Sequence, residues 1–207
     1  MMSAAAAARS PGASATLRDR VLQASRELLA DGGLAALSMR EVARRSGVTH
    51  QAPYHHFPDK ESIVAELVTR GFEELAARMA RANDLAPAEG AARKRATLLA
   101  AAEAYLGFAL DDPGVFRLMF RPELCQAARF PEVREAAERA HAELRRLVCI
   151  VHDGAYDEAL ASLYWAHVHG LACLALDGPL EHHLPAPAER RAHLRQATEH
   201  FVRMVLG

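Results

Sequence analysis

Apolar residues recur along most of the chain at the three- and four-residue spacing of amphipathic α-helices. The first such stretch places four residues on one face: Leu17, Val21, Ser25 and Leu28. The sequence contains no strict alternation of apolar and polar residues, which is the pattern of a half-buried β-strand. Helical spacing continues after Asp59 and then over the ranges 88–111, 113–120, 131–152, 155–177 and 187–206. The pattern therefore predicts an all-α protein of about nine helices.

Signals for helix ends divide the region between residues 30 and 50. Asp31-Gly32-Gly33 ends the first helix, because glycine is the usual residue just past a helix C-terminus. Ser38 and Glu41 predict a capping box, in which each side chain bonds the other residue's free backbone N–H. Gly47 fits the left-handed turn that ends a helix. These signals predict a short second helix between Ser38 and Gly47.

The next segment, residues 47–61, predicts a third short helix and reads GVTHQAPYHHFPDKE. Thr49 is its predicted N-cap, and Val48 and Pro53 occupy the two positions of a hydrophobic staple. A helix of six to eight residues is not stable alone, so we expect it to pack on the two helices before it. A helix, a glycine-containing turn and a short second helix together form a helix-turn-helix.

Three functions compete for the histidines of this segment: a metal site, a solvated loop and a helix face that reads DNA. Two metal ligands on one helix need a spacing of three or four residues, but His50 and His55 are five apart and His56 adjoins His55. We therefore predict no metal and no cofactor. The capped, partly apolar pattern disfavours a loop. The polar face of His50, Gln51 and His55 can reach base edges and phosphates in a DNA major groove.

Charge and cysteine content add little to this prediction. The net charge is −1, and residues 16–60 hold seven Lys/Arg against five Asp/Glu, so DNA binding is predicted from the motif and not from charge. The three cysteines lie far apart without a C-x-x-C motif, which predicts free thiols in a reducing cytoplasm. Residues 1–15 are predicted to be a disordered tail. No apolar run reaches the roughly 18 residues of a membrane span.

The segment from about Thr16 to Leu67 resembles the DNA-binding domain of the TetR family of bacterial repressors, and residues 37–67 carry the resemblance. They read LSMREVARRSGVTHQAPYHHFPDKESIVAEL and match that family's Ala-x-x-x-Gly-Val-Ser, Tyr-x-His-Phe and Lys-Glu pattern. The resemblance implies a three-helix DNA-binding domain over residues 16–62 and a larger helical effector-binding and dimerisation domain over residues 63–207. It also implies DNA contacts by eight residues: Arg40, Thr49, His50, Gln51, Ala52, Tyr54, His55 and Lys60.

The resemblance divides these residues by role. Thr49, Tyr54 and Lys60 match positions that usually hold phosphates, whereas residues 50–52 match the base-reading start of the recognition helix. Arg40 matches a position that reaches the groove from the second helix.

Neighbouring positions complete the comparison with the family. His55 is expected to lie beside the DNA backbone. His56 and Phe57 match a partly buried pair, which predicts a structural role for His56. Pro53 departs from the commoner Thr or Leu and is expected to shift the first turn of the recognition helix.

Residues 155–180 read AYDEALASLYWAHVHGLACLALDGPL and are apolar on two faces, so both faces must be covered. Trp165, His169 and Gly170 resemble the signature of a Trp-His-Gly type of TetR C-terminal domain. The resemblance implies a homodimer formed by the helices at 155–177 and 187–206, with a pseudo-palindromic double-stranded DNA operator as its partner. It also implies a pocket for an unknown effector, with seven candidate wall residues: Tyr105, Phe108, Phe116, Met119, Phe120, Trp165 and His169. Few charges fall on these inward faces, which favours an uncharged or weakly polar effector.

Two alternative functions remain open. The first alternative is a helical enzyme or a small-molecule-binding protein without a regulatory role. An enzyme would need a nucleophile–base pair, a metal cluster or a phosphate loop, and the sequence shows none of these spacings, so we predict no enzymatic activity. A constitutive architectural DNA-binding protein is the other, and the mild charge counts against it. The favoured prediction is a cytoplasmic repressor, released from DNA by an effector and without a membrane partner.

Overall fold

The computed structural model describes residues 16–84, 90–125 and 128–207. The predicted disordered tail and the first two residues of the helix predicted to begin at residue 88 lie outside these ranges. Within them the chain is helical with short connections and has no β-strand, so the predicted all-α class is confirmed. The α-helices are α1 Leu17–Ala36, α2 Met39–Arg45, α3 Lys60–Asp84, α4 Gly90–Asp111, α5 Pro113–Met119, α6 Pro131–Val151, α7 Glu158–Asp177, α8 Leu180–His183 and α9 Pro187–Leu206.

Two 3₁₀ helices, Ala52–His55 and Pro122–Leu124, complete the regular structure of the described ranges. The chain divides between Lys60 and Glu61 into two compact units. In the first unit α1 packs against α2, and both contact the 3₁₀ helix Ala52–His55. A short helix therefore gains its stability from the two helices before it, as the sequence predicts.

Glycine ends the regular part of α1 where the sequence predicts it. Gly32 has non-helical backbone angles, and Gly33 has a φ of 62°, in the left-handed region that glycine enters without steric cost. Residues 34–36 form one further helical turn. Leu37 then continues in an extended conformation, with its side chain buried.

The capping box of α2 is half formed. The Ser38 hydroxyl accepts a hydrogen bond from the Glu41 backbone N–H at 3.2 Å. The Glu41 carboxylate does not return to Ser38 but binds the Arg44 guanidinium one turn later. The reciprocal bond predicted from the sequence is therefore wrong, because a charge-assisted pair competes for the same carboxylate. Gly47, with a φ of 66°, ends the turn as predicted.

Helix α4 is the centre of the second unit, where it packs against α5, α6, α7 and α9. Its inward face buries Leu98, Tyr105 and Phe108. Helix α7 begins at Glu158 and not at residue 155, because the Asp157 carboxylate accepts hydrogen bonds from the N–H groups of Ala159 and Leu160.

A single helical turn, α8, carries His182 and His183. The Leu184 N–H bonds the Leu180 carbonyl at 2.8 Å and closes that turn. Both histidines are exposed.

Among the described helices, α7 is the one long and apolar enough to cross a membrane by length and composition, with a mean hydropathy of 1.4. The sequence shows no unbroken apolar run long enough to span a membrane, because histidine and serine interrupt the run in α7. These residues hardly lower the mean hydropathy of the helix, which is why α7 passes the test of length and composition. Only 22% of the window is buried within the protomer. The helix therefore presents an apolar surface that the protomer itself leaves uncovered.

Gly71 lies at a close contact between two helices of the second unit. A Cβ built at this position of α3 would lie 2.7 Å from Met119 Sδ and 2.8 Å from Val115 Cγ1 on α5. Carbon atoms normally stay about 3.5–4.0 Å apart, so α3 and α5 approach this closely only because residue 71 has no side chain.

We expect Gly71→Ala to destabilise the protein by about 1–3 kcal/mol, the usual cost of overpacking a filled core. For a chain of this length that loss lowers the melting temperature by about 2–12 °C. Gly107→Ala on α4 is the matched control, because the nearest atom to its Cβ would be an arginine nitrogen at 3.8 Å. It should be neutral or stabilise by up to about 1 kcal/mol. Equal melting temperatures for the two variants, measured by circular dichroism, would contradict the tight contact.

Candidate nucleic-acid interface and ligand cavity

The predicted recognition helix is a 3₁₀ helix of four residues, Ala52–His55. Its bonds run from each N–H to the carbonyl three residues earlier: Ala52 to Thr49, Tyr54 to Gln51 and His56 to Pro53. An α-helix here would need a bond from residue 53 to the Thr49 carbonyl, and Pro53 has no N–H to make it. Pro53 therefore favours the 3₁₀ form.

The predicted N-cap role of Thr49 is wrong. Its backbone carbonyl closes the turn before the 3₁₀ helix, and among the described residues its hydroxyl caps no N–H group. Thr49 is exposed, so the hydroxyl is open to solvent. Pro53 is buried and Val48 is half-buried, in keeping with the apolar roles predicted for them.

The turn before the recognition segment is held in place from α1. The Arg20 guanidinium donates to the Ser46 carbonyl at 2.5 Å, and the Ser46 hydroxyl donates to the Arg20 carbonyl at 3.4 Å. Below the segment Phe57 is 2% exposed. The Arg18 guanidinium lies over the Phe57 ring, 5.4 Å from its centroid. A rigid support of this kind fixes the direction of short, otherwise unstable elements.

Most of the predicted DNA contacts are exposed side chains of the first unit. The 3₁₀ helix and the turn before it expose polar side chains, Ala52 is half-buried among them, and α2 exposes an arginine. The exposed members are Arg40, Thr49, His50, Gln51, Tyr54 and His55. The His50 and Tyr54 rings meet edge to face, with centroids 5.7 Å apart.

His56 differs from its prediction. The sequence pairs it with Phe57 as a partly buried residue, but His56 is exposed while Phe57 is buried. Both residues follow the C-terminal end of the 3₁₀ helix, where the chain leaves the helix and turns the Phe57 side chain inward. His56 is therefore a solvent-facing residue beside the predicted contacts.

Lys60 has a structural partner that the sequence did not reveal. Its ammonium donates to the Leu34 carbonyl at 2.8 Å, after the glycine break of α1. Partial burial lowers the pKa of Lys60 below its usual value. An ammonium carries three N–H donors, so two remain for another acceptor.

A cavity of about 370 Å³ lies within the second unit, between α3, α4, α6, α7 and α9. That volume lies within the range of small-molecule sites, about 300–1,000 Å³. Its wall is mostly hydrocarbon and aromatic, with lining residues that include Phe72, Leu75, Met79, Leu98, Leu144, Tyr164, Val168 and Phe201. The lining residues Arg134, Glu138 and His141 of α6 are exposed, so the cavity meets solvent beside them.

The predicted effector residues divide into two groups. Tyr105, Phe120 and Trp165 line the cavity, and His169 lines a second, more open depression next to Phe120 and Trp165. The other three are buried in the hydrophobic core and line neither space: Phe108, Phe116 and Met119. Residues of α3, α6 and α9 in the wall were not among the sequence candidates, because no local pattern indicates which helices meet.

A hydrogen-bonded chain crosses the cavity wall from Trp165 through Tyr105 to His169. The Trp165 indole N–H donates to the Tyr105 hydroxyl at 3.3 Å. That hydroxyl lies 2.9 Å from His169 Nδ1 and can donate its own proton to it. Burial raises the pKa of Tyr105 far above its usual value and lowers the pKa of His169. Both pKa shifts favour a neutral phenol on Tyr105 and a neutral imidazole on His169, which are the forms that this hydrogen-bonded chain requires.

The cysteines are free thiols: Cys125 is buried, and Cys149 and Cys173 are half-buried. Burial raises the pKa of Cys125 to about 11 and also raises that of Cys173. Thiolate chemistry is therefore disfavoured at both positions. Across the described ranges, no three His, Cys, Asp or Glu side chains cluster as a metal site.

Comparison with known proteins decides the family. A model of bacterial regulatory proteins of the tetR family matches residues 21–67, and a model of the tetracycline repressor-like C-terminal domain matches residues 98–201. The chain belongs to the TetR family. The first match begins in the first unit and ends early in the second, and the other match lies within the second unit. The TetR resemblance noted in the sequence is confirmed. The Trp-His-Gly subtype stays a prediction.

Relatives and solved structures of the TetR fold resemble the chain to different extents. The transcriptional repressor KstR2 of Mycolicibacterium smegmatis is 38% identical over 58 residues, which is 28% of each chain, so the match spans little more than a quarter of that relative. A protein of unknown function from Rhodococcus sp. RHA1 is 29% identical with a TM-score of 0.73, covering 94% of this chain and 98% of that one. A transcriptional regulator from the same source is 25% identical with a TM-score of 0.70, covering 92% and 96%.

Proposed function

We propose that this TetR-family protein is a cytoplasmic, sequence-specific repressor. It binds a pseudo-palindromic operator as a homodimer and leaves the DNA when a small-molecule effector occupies the cavity. A ligand can shift such an equilibrium only if it binds the two states with different affinity, so the effector must favour the conformation that fits DNA poorly.

The exposed surface of the helix-turn-helix supports this function most directly. Gln51 and His55 are exposed on or beside the short, supported 3₁₀ helix, and Arg40 is exposed on α2. Arginine and glutamine have the donor geometry that reads guanine and adenine edges in the major groove, while Thr49 and Tyr54 offer hydroxyls for phosphates. The regulators and repressors among the relatives support the same role.

The uncovered face of α7 supports a dimer. Leu163, Ala166, Gly170 and Leu174 repeat at three- and four-residue spacing, and we call this set the α7 stripe. Leu163 is 49% and Leu174 is 44% exposed in the protomer. Nothing among the described residues comes within 4 Å of a Cβ built at Gly170. Contiguous exposed apolar surface of this kind usually marks an interaction site, and a second copy of α7 and α9 would cover it.

A gel-shift assay with the DNA upstream of the protein's own reading frame tests the proposal. We expect a discrete shift at low salt that survives competitor DNA and is reversed by a cell extract containing the effector. No shift at low salt would rule out DNA binding and leave the helical small-molecule-binding alternative. Equal binding to operator and to random DNA would indicate the architectural alternative.

We expect Tyr54→Phe to weaken operator binding and random-DNA binding by the same factor. The change removes one hydroxyl and keeps the ring that meets His50. A phosphate contact positions the protein without reading sequence. Two lost hydrogen bonds per dimer, at about 0.5–1.5 kcal/mol each, weaken binding about five- to hundredfold. Anisotropy titrations on both DNAs measure it, and a loss confined to the operator would show that Tyr54 contacts a base.

A further inference from the structure

One polar atom in the cavity region has no partner. His167 lines the cavity, and its Nε2 atom is buried without a hydrogen bond to any described residue. Its ring stacks on Phe201, with centroids 3.9 Å apart and planes 9° apart. A buried polar group left unpaired costs about 1–3 kcal/mol, which a ligand atom can offset.

The other buried polar groups around the cavity are already occupied. The Tyr105 hydroxyl bonds Trp165 and His169. The Tyr164 hydroxyl lies 2.7 Å from His152 Nε2. The Thr198 hydroxyl donates to the Leu194 carbonyl. His167 therefore stands out as the point where a ligand gains a hydrogen bond without breaking an existing one.

The surroundings also limit the charge of a ligand. Burial lowers the pKa of His167, so its neutral ring is favoured. The charged lining residues, Arg134 and Glu138, are both about two-thirds exposed and lie 3.9 Å from each other. Neither can compensate an ionised group deep in an apolar cavity, where an unpaired charge is very costly.

We propose that the effector is a neutral, mostly hydrocarbon molecule with one hydroxyl or keto oxygen, and that this oxygen bonds His167 Nε2. The inference rests on the proposed effector function and narrows it to a chemical class. A neutral imidazole donates or accepts at Nε2 according to its tautomer, so either oxygen type satisfies it. The rest of the molecule fills the apolar wall, which supplies most of the affinity.

The test uses 1-octanol, 2-octanone and octanoate as probes, without DNA. Trp165 is the single tryptophan of the chain and lines the cavity, so its fluorescence reports binding directly. At pH 7.5 we expect the alcohol and the ketone to bind at least tenfold more tightly than the carboxylate. Octanoate binding as tightly as 1-octanol, or no response to any probe up to its solubility, would overturn the proposal.

A matched pair of variants tests the atom itself. His167→Phe keeps a flat ring against Phe201 but removes both nitrogens, and we expect it to weaken 1-octanol binding about three- to tenfold. His193→Phe makes the same change at an exposed histidine of α9 that does not line the cavity, and it should bind as the wild type does. Thermal melts show whether each variant folds. A folded His167→Phe with unchanged affinity for 1-octanol would show that Nε2 takes no part.

The outcome is separable from that of the proposed repressor function. Because the titrations contain no DNA, probe binding can hold while every gel shift fails, which would refute the repressor and keep the ligand class. The reverse result, operator binding with no preference for neutral probes, would refute the ligand class alone.

Discussion

Leu174→Arg is expected to convert the protein to a monomer and to reduce operator affinity at least a thousandfold. Leu174 lies in the exposed α7 stripe, so the change should not disturb the core of the protomer. In a two-fold dimer the substitution places a cation on each side of the interface, and a buried unpaired charge is strongly destabilising. Specific protein–DNA complexes have dissociation constants of about 10⁻⁸–10⁻¹¹ M, and one half-site supplies about half of that free energy.

Light scattering after size exclusion and a gel shift on the operator measure the two effects. Ala142→Arg is the control, because Ala142 is exposed on α6 and gains the same charge away from the α7 stripe. It should remain dimeric and bind DNA. If Leu174→Arg is a soluble dimer with normal operator affinity, Leu174 lies outside the interface.

A second variant separates interface loss from misfolding. In the protomer Gly170 has open space around its Cβ position, and alanine favours a helix interior by about 1 kcal/mol relative to glycine. Gly170→Ala should therefore leave the protomer intact while weakening a dimer in which two α7 helices approach closely. A tighter dimer would show that the α7 helices do not meet at this glycine.

The features predictable from the sequence are those that local chemistry determines. The Gly32-Gly33 break, the Ser38 cap and the left-handed Gly47 depend on residues within one turn of each other. Helix positions followed from the 3.6-residue period because most helices here bury one face. The predicted DNA contacts follow from the same local pattern and from the TetR resemblance, and six of these residues are exposed.

The errors have equally specific causes. Pro53 removes one N–H, and that loss favours a 3₁₀ helix over an α-helix and defeats the predicted Thr49 cap. Arg44 takes the Glu41 carboxylate that a complete capping box needs. Such competition depends on side-chain geometry, which a pattern of residue types does not contain.

The cavity was the feature least predictable from the sequence, because residues of five helices line it. Tyr105 and Trp165 were candidates because aromatic residues stand out in a sequence. His167 was not a candidate, because it is two residues from His169 and residues at that spacing do not share a helix face. Its importance lies in its ring contact with Phe201, more than 30 positions away, and in the partners that neighbouring polar groups already have.

Lys60→Met should have the second large effect, because Lys60 is expected to serve both the fold and the DNA. Methionine keeps most of the apolar stem but removes the ammonium that donates to the Leu34 carbonyl. The protein should lose about 1–3 kcal/mol of stability, the cost of an unpaired, partly buried acceptor. If the two remaining N–H donors bind a phosphate, each dimer also loses two charged contacts, worth about 1.5–3 kcal/mol apiece, and affinity falls at least a hundredfold.

The salt dependence of binding separates the two roles of Lys60. Each phosphate contact contributes about −0.9 to the slope of log K against log salt, so two lost contacts reduce it by about 1.8. Between 50 and 200 mM salt that change amounts to about a tenfold difference. The sequence has one other lysine, Lys94, which pairs with Asp153 in the second unit, and Lys94→Met should leave the slope unchanged. If Lys60→Met lowers the melting temperature but leaves the salt slope unchanged, Lys60 bonds Leu34 and does not contact phosphate. Losing a phosphate contact would reduce the number of counterions released on binding and so reduce the slope.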